Sequence, residues 1–132
     1  MRILFVCKYN AGRSQIAEGF FNKVIRNKSL SAGIKARERI NHPMPDFVIK
    51  CMQEKKINMA RNYRKQLTKE MAEKADKIIM FVPKRMWPKY LKNSKKTTYW
   101  RVADAKGKSY SFHCNIRDQI QKRVINLLKE LK

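Results

Sequence analysis

The chain is poor in the residues that build covalent and metal frameworks. Its cysteines, Cys7, Cys51 and Cys114, form no close pair and no Cys-x-x-Cys, which excludes a disulfide framework and a zinc site of the usual spacing. Its histidines, His42 and His113, stand alone outside any ligand spacing, so neither a metal nor another cofactor is expected. Long hydrophobic runs are missing too. Nothing approaches the ~20 apolar residues of a membrane span, and the apolar run at the start is too short for a signal sequence. The expectation is a soluble chain in a reducing cytoplasm, with no membrane partner. Acidic residues are scarce: 10 Asp plus Glu face 32 Lys plus Arg, a formal net charge of +22. Such a field draws in small oxyanions, acidic proteins or nucleic acid. The bases are spread along the whole chain, however, and no aromatic-interleaved basic strip or nucleic-acid module accompanies them. A solvated, lysine-biased surface is the plain reading, with weak nucleic-acid or acidic-protein binding as its companion. At 132 residues the chain suits one domain, 1–132, able to bury a core without disulfide or metal.

What is present is concentrated near the start. The apolar run Ile3-Leu4-Phe5-Val6 leads into Cys7-Lys8-Tyr9-Asn10-Ala11-Gly12-Arg13-Ser14, and helical periodicity follows. This reads as strand, anion-binding loop, helix. Five residues between Cys7 and Arg13 let the loop curl until successive backbone N–H groups face one point, with a helix N-terminus behind it. A thiol at the loop's start feels those dipoles and the guanidinium, which favours the thiolate. Arg13 offers a planar fork for two oxygens of a phosphate or arsenate, and Ser14 can donate its hydroxyl to the sulfur. Read alone, Cys7 would be a buried residue closing a strand. Its company at a strand-to-helix junction makes it a candidate nucleophile. Lys8, Tyr9, Asn10, Ala11, Gly12, Arg13 and Ser14 are the candidate substrate cradle.

Further along, Ile16, Phe20, Val24 and Ala17, Phe21, Ile25 form two adjacent rows of one helical stripe. Leu30 to Gly33 reads as a second strand, and 35–44 as loop, with Pro43 and Pro45 barring a helix before Asp46. Phe47, Val48, Cys51 and Met52 make another apolar stripe, which assigns Cys51 to the core. Thr68 caps a short helix, 78–82 is a strand, and 84–91 is a helix broken by Pro88. Residues 97–102 form the fourth strand, with Asp104 just beyond it. From Phe112 onward, Ile116, Ile120, Val124, Leu127, Leu128 and Leu131 trace the longest amphipathic helix. Strands alternating with helices imply an α/β fold with a parallel sheet covered on both faces. Ligands of such folds bind beyond the carboxyl ends of the strands, where both Cys7 and Asp104 fall.

The opening ILFVCKYNAGRSQIAEGF resembles the superfamily of low-molecular-weight protein tyrosine phosphatases and thioredoxin-type arsenate reductases, whose signature is Cys-x5-Arg-Ser. The similarity continues through Ser31-Ala32-Gly33, Ala75-Asp76, Trp100-x-Val102-x-Asp104 and Ile116-Arg117-Asp118-x-x-Ile120. The resemblance implies a four-stranded sheet of order 2-1-3-4 in a flavodoxin-like three-layer sandwich. It also implies a phosphatase that acts through a thiophosphate, with Cys7, Arg13 and Asp104 catalytic. Asp104 would protonate the leaving oxygen and then activate water. Its substrate would be a phosphorylated protein or a small oxyanion. The alternative is an arsenate reductase served by an external thiol or thioredoxin-type partner. A catalytically idle basic binding module is the third reading. The chain departs from the family in three ways: Ala105 replaces the proline after the acid, Gly12 replaces a second loop cysteine, and no cysteine pair follows the third strand. Tyr9 is the aromatic residue offered for a substrate ring.

Overall fold

The alternation of apolar residues along the first strand sets the layers. In the computed structural model, which describes residues 2–131, strand β1 (Ile3–Cys7) is buried throughout. Its side chains alternate between two cores. Ile3, Phe5 and Cys7 face one cluster with Ile16, Phe21, Cys51, Ile120 and Val124. Leu4 and Val6 face another with Leu67, Ala72, Trp87 and Leu91. Strands β2 (Ser29–Gly33), β3 (Lys77–Met80) and β4 (Thr97–Tyr99) complete a parallel sheet in the order β2-β1-β3-β4. Helices α1 (Arg13–Val24), α2 (Asp46–Gln53) and α4 (Tyr110–Glu130) cover one face. Helix α3 (Lys69–Lys74) and the 3-10 turns Lys84–Met86 and Lys89–Leu91 cover the other. This is the α/β sandwich expected from the sequence.

The boundaries shift for local reasons. The expected broken helix over 84–91 resolves into the two 3-10 turns, split at Pro88, whose ring cannot continue a helix. Thr68 does cap α3, accepting from the Met71 amide at 3.2 Å, and Ser109 caps α4 in the same way. Helix α4 therefore begins at Tyr110, ahead of Phe112. The expected loop 35–44 contains a 3-10 turn, Ala36–Arg39. Strands β3 and β4 end earlier than expected, at Met80 and Tyr99, although the Phe81 and Trp100 amides still donate to Val6 and Met80. The stripe on α1 also stops short. Ile16, Ala17, Phe20 and Phe21 are buried, whereas Val24 is 67% exposed, because the helix ends there beyond the edge of its neighbours. No helix among the described residues is long and apolar enough to cross a membrane.

Candidate active site

Cys7 is the last residue of β1, 3% exposed, and its Sγ lies 2.9 Å from Ser14 Oγ. The surrounding groups fix the direction of that bond. The Lys65 amide can only donate, and it does so to Asn10 Oδ1 at 2.8 Å, which turns Asn10 Nδ2 toward Ser14 Oγ, also 2.8 Å away. Ser14 Oγ accepts from Asn10, so its own proton is free for the sulfur. Gln15 Nε2 donates to Asn10 Oδ1 and to the Tyr63 carbonyl, and Asn62 donates to Gln15 Oε1. Asn10 sits at φ 55°, a left-handed conformation that asparagine tolerates. The bend it makes is thus locked by the segment around 62–65. Gly33, at the end of β2, lies directly behind the loop: a Cβ there would meet the Asn10 nitrogen at 2.7 Å and the Lys8 oxygen at 2.9 Å.

Helix α1 starts immediately after the loop. Gly12 supplies no side-chain cap and the first turn holds no acidic residue. Its first amides have no intrahelical acceptor, so they remain available to an anion. Arg13 Nη1 donates to the carbonyls of Phe81, at 2.8 Å, and Val102, at 3.1 Å. Those carbonyls lie past the C-terminal ends of β3 and β4. The guanidinium is thereby fixed, with Nη2 3.9 Å from Asp104 Oδ2. Asp104 is half exposed at 54% of its side chain. Its Oδ1 accepts from the Lys106 amide, the Lys108 amide donates to the Ala105 carbonyl, and Gly107 turns at φ 79°. Ala105 itself is buried in the core. Where the resemblance leads one to expect proline, this turn is ordered by hydrogen bonds and by burial of Ala105.

These parts open on a cleft of about 580 Å³. Cys7, Lys8, Tyr9, Ala11, Gly12, Arg13 and Asp104 line it, whereas Asn10 and Ser14 are fully buried behind the loop. Several residues of the cleft carry no mark in the sequence. Arg64 is 6% exposed and donates to the carbonyls of Tyr9, His42 and Pro43, so it ties the loop to the 42–45 segment. Burial works against its charge. Phe47 does not belong to the buried stripe to which the periodicity assigns it. It is 41% exposed, lines the cleft, and has its ring centroid 5.3 Å from that of His113 and 5.4 Å from that of Tyr110. Burial holds His113 below the ordinary histidine range, opposed by the nearby Asp104 charge. The cleft therefore has an aromatic wall besides Tyr9. Cys51 and Cys114 lie outside it. Burial pushes the Cys51 thiol up to about 11, in keeping with a core cysteine.

The family model of the low molecular weight phosphotyrosine protein phosphatases matches residues 2–132. The chain belongs to this family. Among curated relatives, arsenate reductase 1 of Bacillus cereus is 29% identical over 129 residues, 92% of this chain and 90% of the relative. Among solved structures, the low molecular weight protein tyrosine phosphatase of T. tengcongensis superposes with a TM-score of 0.87 at 22% identity, covering 98% of this chain and 99% of its own. The YwlE arginine phosphatase of Geobacillus stearothermophilus superposes at 0.83 with 23% identity, over 98% and 92% of the two chains. At these identities the structures speak for the shared phosphatase fold.

Proposed function

We propose that residues 1–132 form one phosphatase domain that hydrolyses a phosphomonoester, phosphotyrosine on a protein or a related phosphate, through a cysteinyl thiophosphate. The observation that supports it most is the Cys7–Ser14 contact of 2.9 Å inside a loop whose arginine is anchored to strand ends beside Asp104. The Cys7 thiolate attacks phosphorus while the loop amides and the outer edge of Arg13 hold the equatorial oxygens. As the S–P bond forms and the P–O bond breaks, the carboxylic acid form of Asp104 gives its proton to the leaving oxygen. Water then attacks phosphorus and passes a proton to the Asp104 carboxylate. The P–S bond breaks, phosphate leaves, and Ser14 donates to the departing thiolate. No step calls on a metal or a cofactor. Wild-type protein should therefore hydrolyse p-nitrophenyl phosphate in the presence of EDTA, and Cys7→Ser should not. Turnover retained in Cys7→Ser, or removed by EDTA, would overturn the assignment.

The kinship with arsenate reductase 1 of Bacillus cereus favours a second reading, in which arsenate occupies the same loop. Cys51 is buried, and neither it nor Cys114 lines the cleft, so the two electrons that take arsenate to arsenite would come from external thiols, with a disulfide as co-product. Arsenite production with glutathione or a thioredoxin system, faster than phosphate release from aryl phosphates, would put this reading first. A cytoplasmic location fits both chemistries, because each needs Cys7 reduced.

A further inference from the structure

The mouth of the cleft carries more positive charge than one phosphate needs. Three cations surround the ring of Tyr9: Arg39 with its Cζ 4.0 Å from the centroid, Lys8 with Nζ at 5.1 Å and Lys106 with Nζ at 5.6 Å. They come from separate places, the loop after β1, the 3-10 turn before α2 and the turn after Asp104. A ring face attracts each of them but bears no net charge, so it cannot neutralise three. None of the ion pairs among the described residues involves them. The acids of the cleft are placed elsewhere. Asp104 faces Arg13 and accepts from the Lys106 amide, and Asp46 stands in the first turn of α2. Like charges that no carboxylate pairs repel one another, and an anion laid among them relieves that repulsion.

We propose that the natural substrate presents a second anionic group to Lys8, Arg39 and Lys106, and that it is an acidic phosphopeptide with Asp or Glu beside the phosphorylated residue. This rests on the phosphatase reading for the place of the scissile phosphate. A peptide suits the layout. The phosphate fills the loop, the ring it is attached to meets the Phe47 and His113 wall, and the neighbouring carboxylates fall at the cleft mouth. Lys106 is exposed and Lys8 and Arg39 are partly so, and a flanking side chain can pair with them without being buried.

The test compares phosphotyrosyl peptides that differ only in having Glu, Gln or Lys on both flanks, with p-nitrophenyl phosphate as the substrate that lacks flanks. Wild-type kcat/KM should favour the Glu peptide over the Gln peptide by about tenfold, mostly in KM. Raising salt from ~50 mM to ~500 mM should erode that preference, because exposed pairs are screened. In the double variant Arg39→Gln, Lys106→Gln the ratio should fall to within about twofold, with kcat/KM for p-nitrophenyl phosphate unchanged. Binding of the same peptides to Cys7→Ser, read by fluorescence anisotropy, should give the same order. No preference in wild type, or a preference that survives both the double variant and salt, would overturn the proposal. If wild type hydrolyses no aryl phosphate, the phosphatase reading fails by itself. The anisotropy ratios still decide whether the Tyr9 rim selects acidic peptides.

Discussion

Ser14 is where a single hydrogen atom carries consequences. Its oxygen accepts from Asn10, so its proton points at Cys7, and that bond is strongest when the sulfur is a thiolate. A hydrogen bond to a charged group contributes about 1.5 to 3 kcal/mol, so Ser14→Ala should slow turnover by roughly ten- to a hundredfold. The loss should fall on breakdown of the thiophosphate, where the thiolate departs, and iodoacetate should alkylate Cys7 more slowly near pH 6. Rapid-quench measurement of phosphoenzyme would show the intermediate accumulating. A variant with unchanged rates at both steps would mean that the serine only fills space. Cys7, Arg13 and Ser14 are legible in the sequence because their chemistry is tied to close spacing in the chain. Arg64 and Gln15 are not. Their partners are backbone carbonyls and a neighbouring amide, which no residue pattern advertises.

Among the elements, β2 does more than extend the sheet. Its last residue, Gly33, pairs with Cys7 and also bonds the segment after Arg64, donating to Lys65 and accepting from Leu67. A side chain at this position would press on the backbone of Lys8, Tyr9 and Asn10, where nothing flexible can give way. Gly33→Ala should cost about 1 to 3 kcal/mol of stability and weaken phosphate binding more than its lowered melting point accounts for. Isothermal titration with phosphate below the melting transition separates the two effects. Equal phosphate affinity in variant and wild type would show that the loop tolerates the push. The parallel sheet follows from the alternation of apolar strands and amphipathic helices, and its order from the family resemblance. β3 stops where the next carbonyl, that of Phe81, turns to Arg13, and the α2 stripe leaves Phe47 uncovered because periodicity marks a face without saying how far its neighbours reach.

For the whole molecule, a net charge of +22 raises the local concentration of every anion, so specific capture has to be told apart from attraction. Phosphate that binds only the native loop adds RT ln(1 + [L]/Kd), about 2.7 kcal/mol at roughly 100 times Kd. The melting point should therefore rise with phosphate well beyond a chloride control at equal ionic strength, and Arg13→Ala should lose the difference. A rise matched by chloride would reduce the effect to general screening. Nucleic acid held by the diffuse charge alone should dissociate steeply with salt and leave that difference untouched. The seat of Arg13 has a further consequence, for the order in which the protein assembles. Cys7 and Ser14 are 7 residues apart, but the carbonyls that hold the guanidinium lie 68 and 89 residues downstream. Contacts of such separation form late, after local helices and turns. The Cys7–Ser14 contact is local, yet the loop's bend waits for the segment around 62–65 and its arginine has no fixed position until the far edge of the sheet has docked. In a refolding time course, hydrolysis of aryl phosphate should return after the helical signal, so that the enzyme's own turnover acts as a clock for the closing step of its folding.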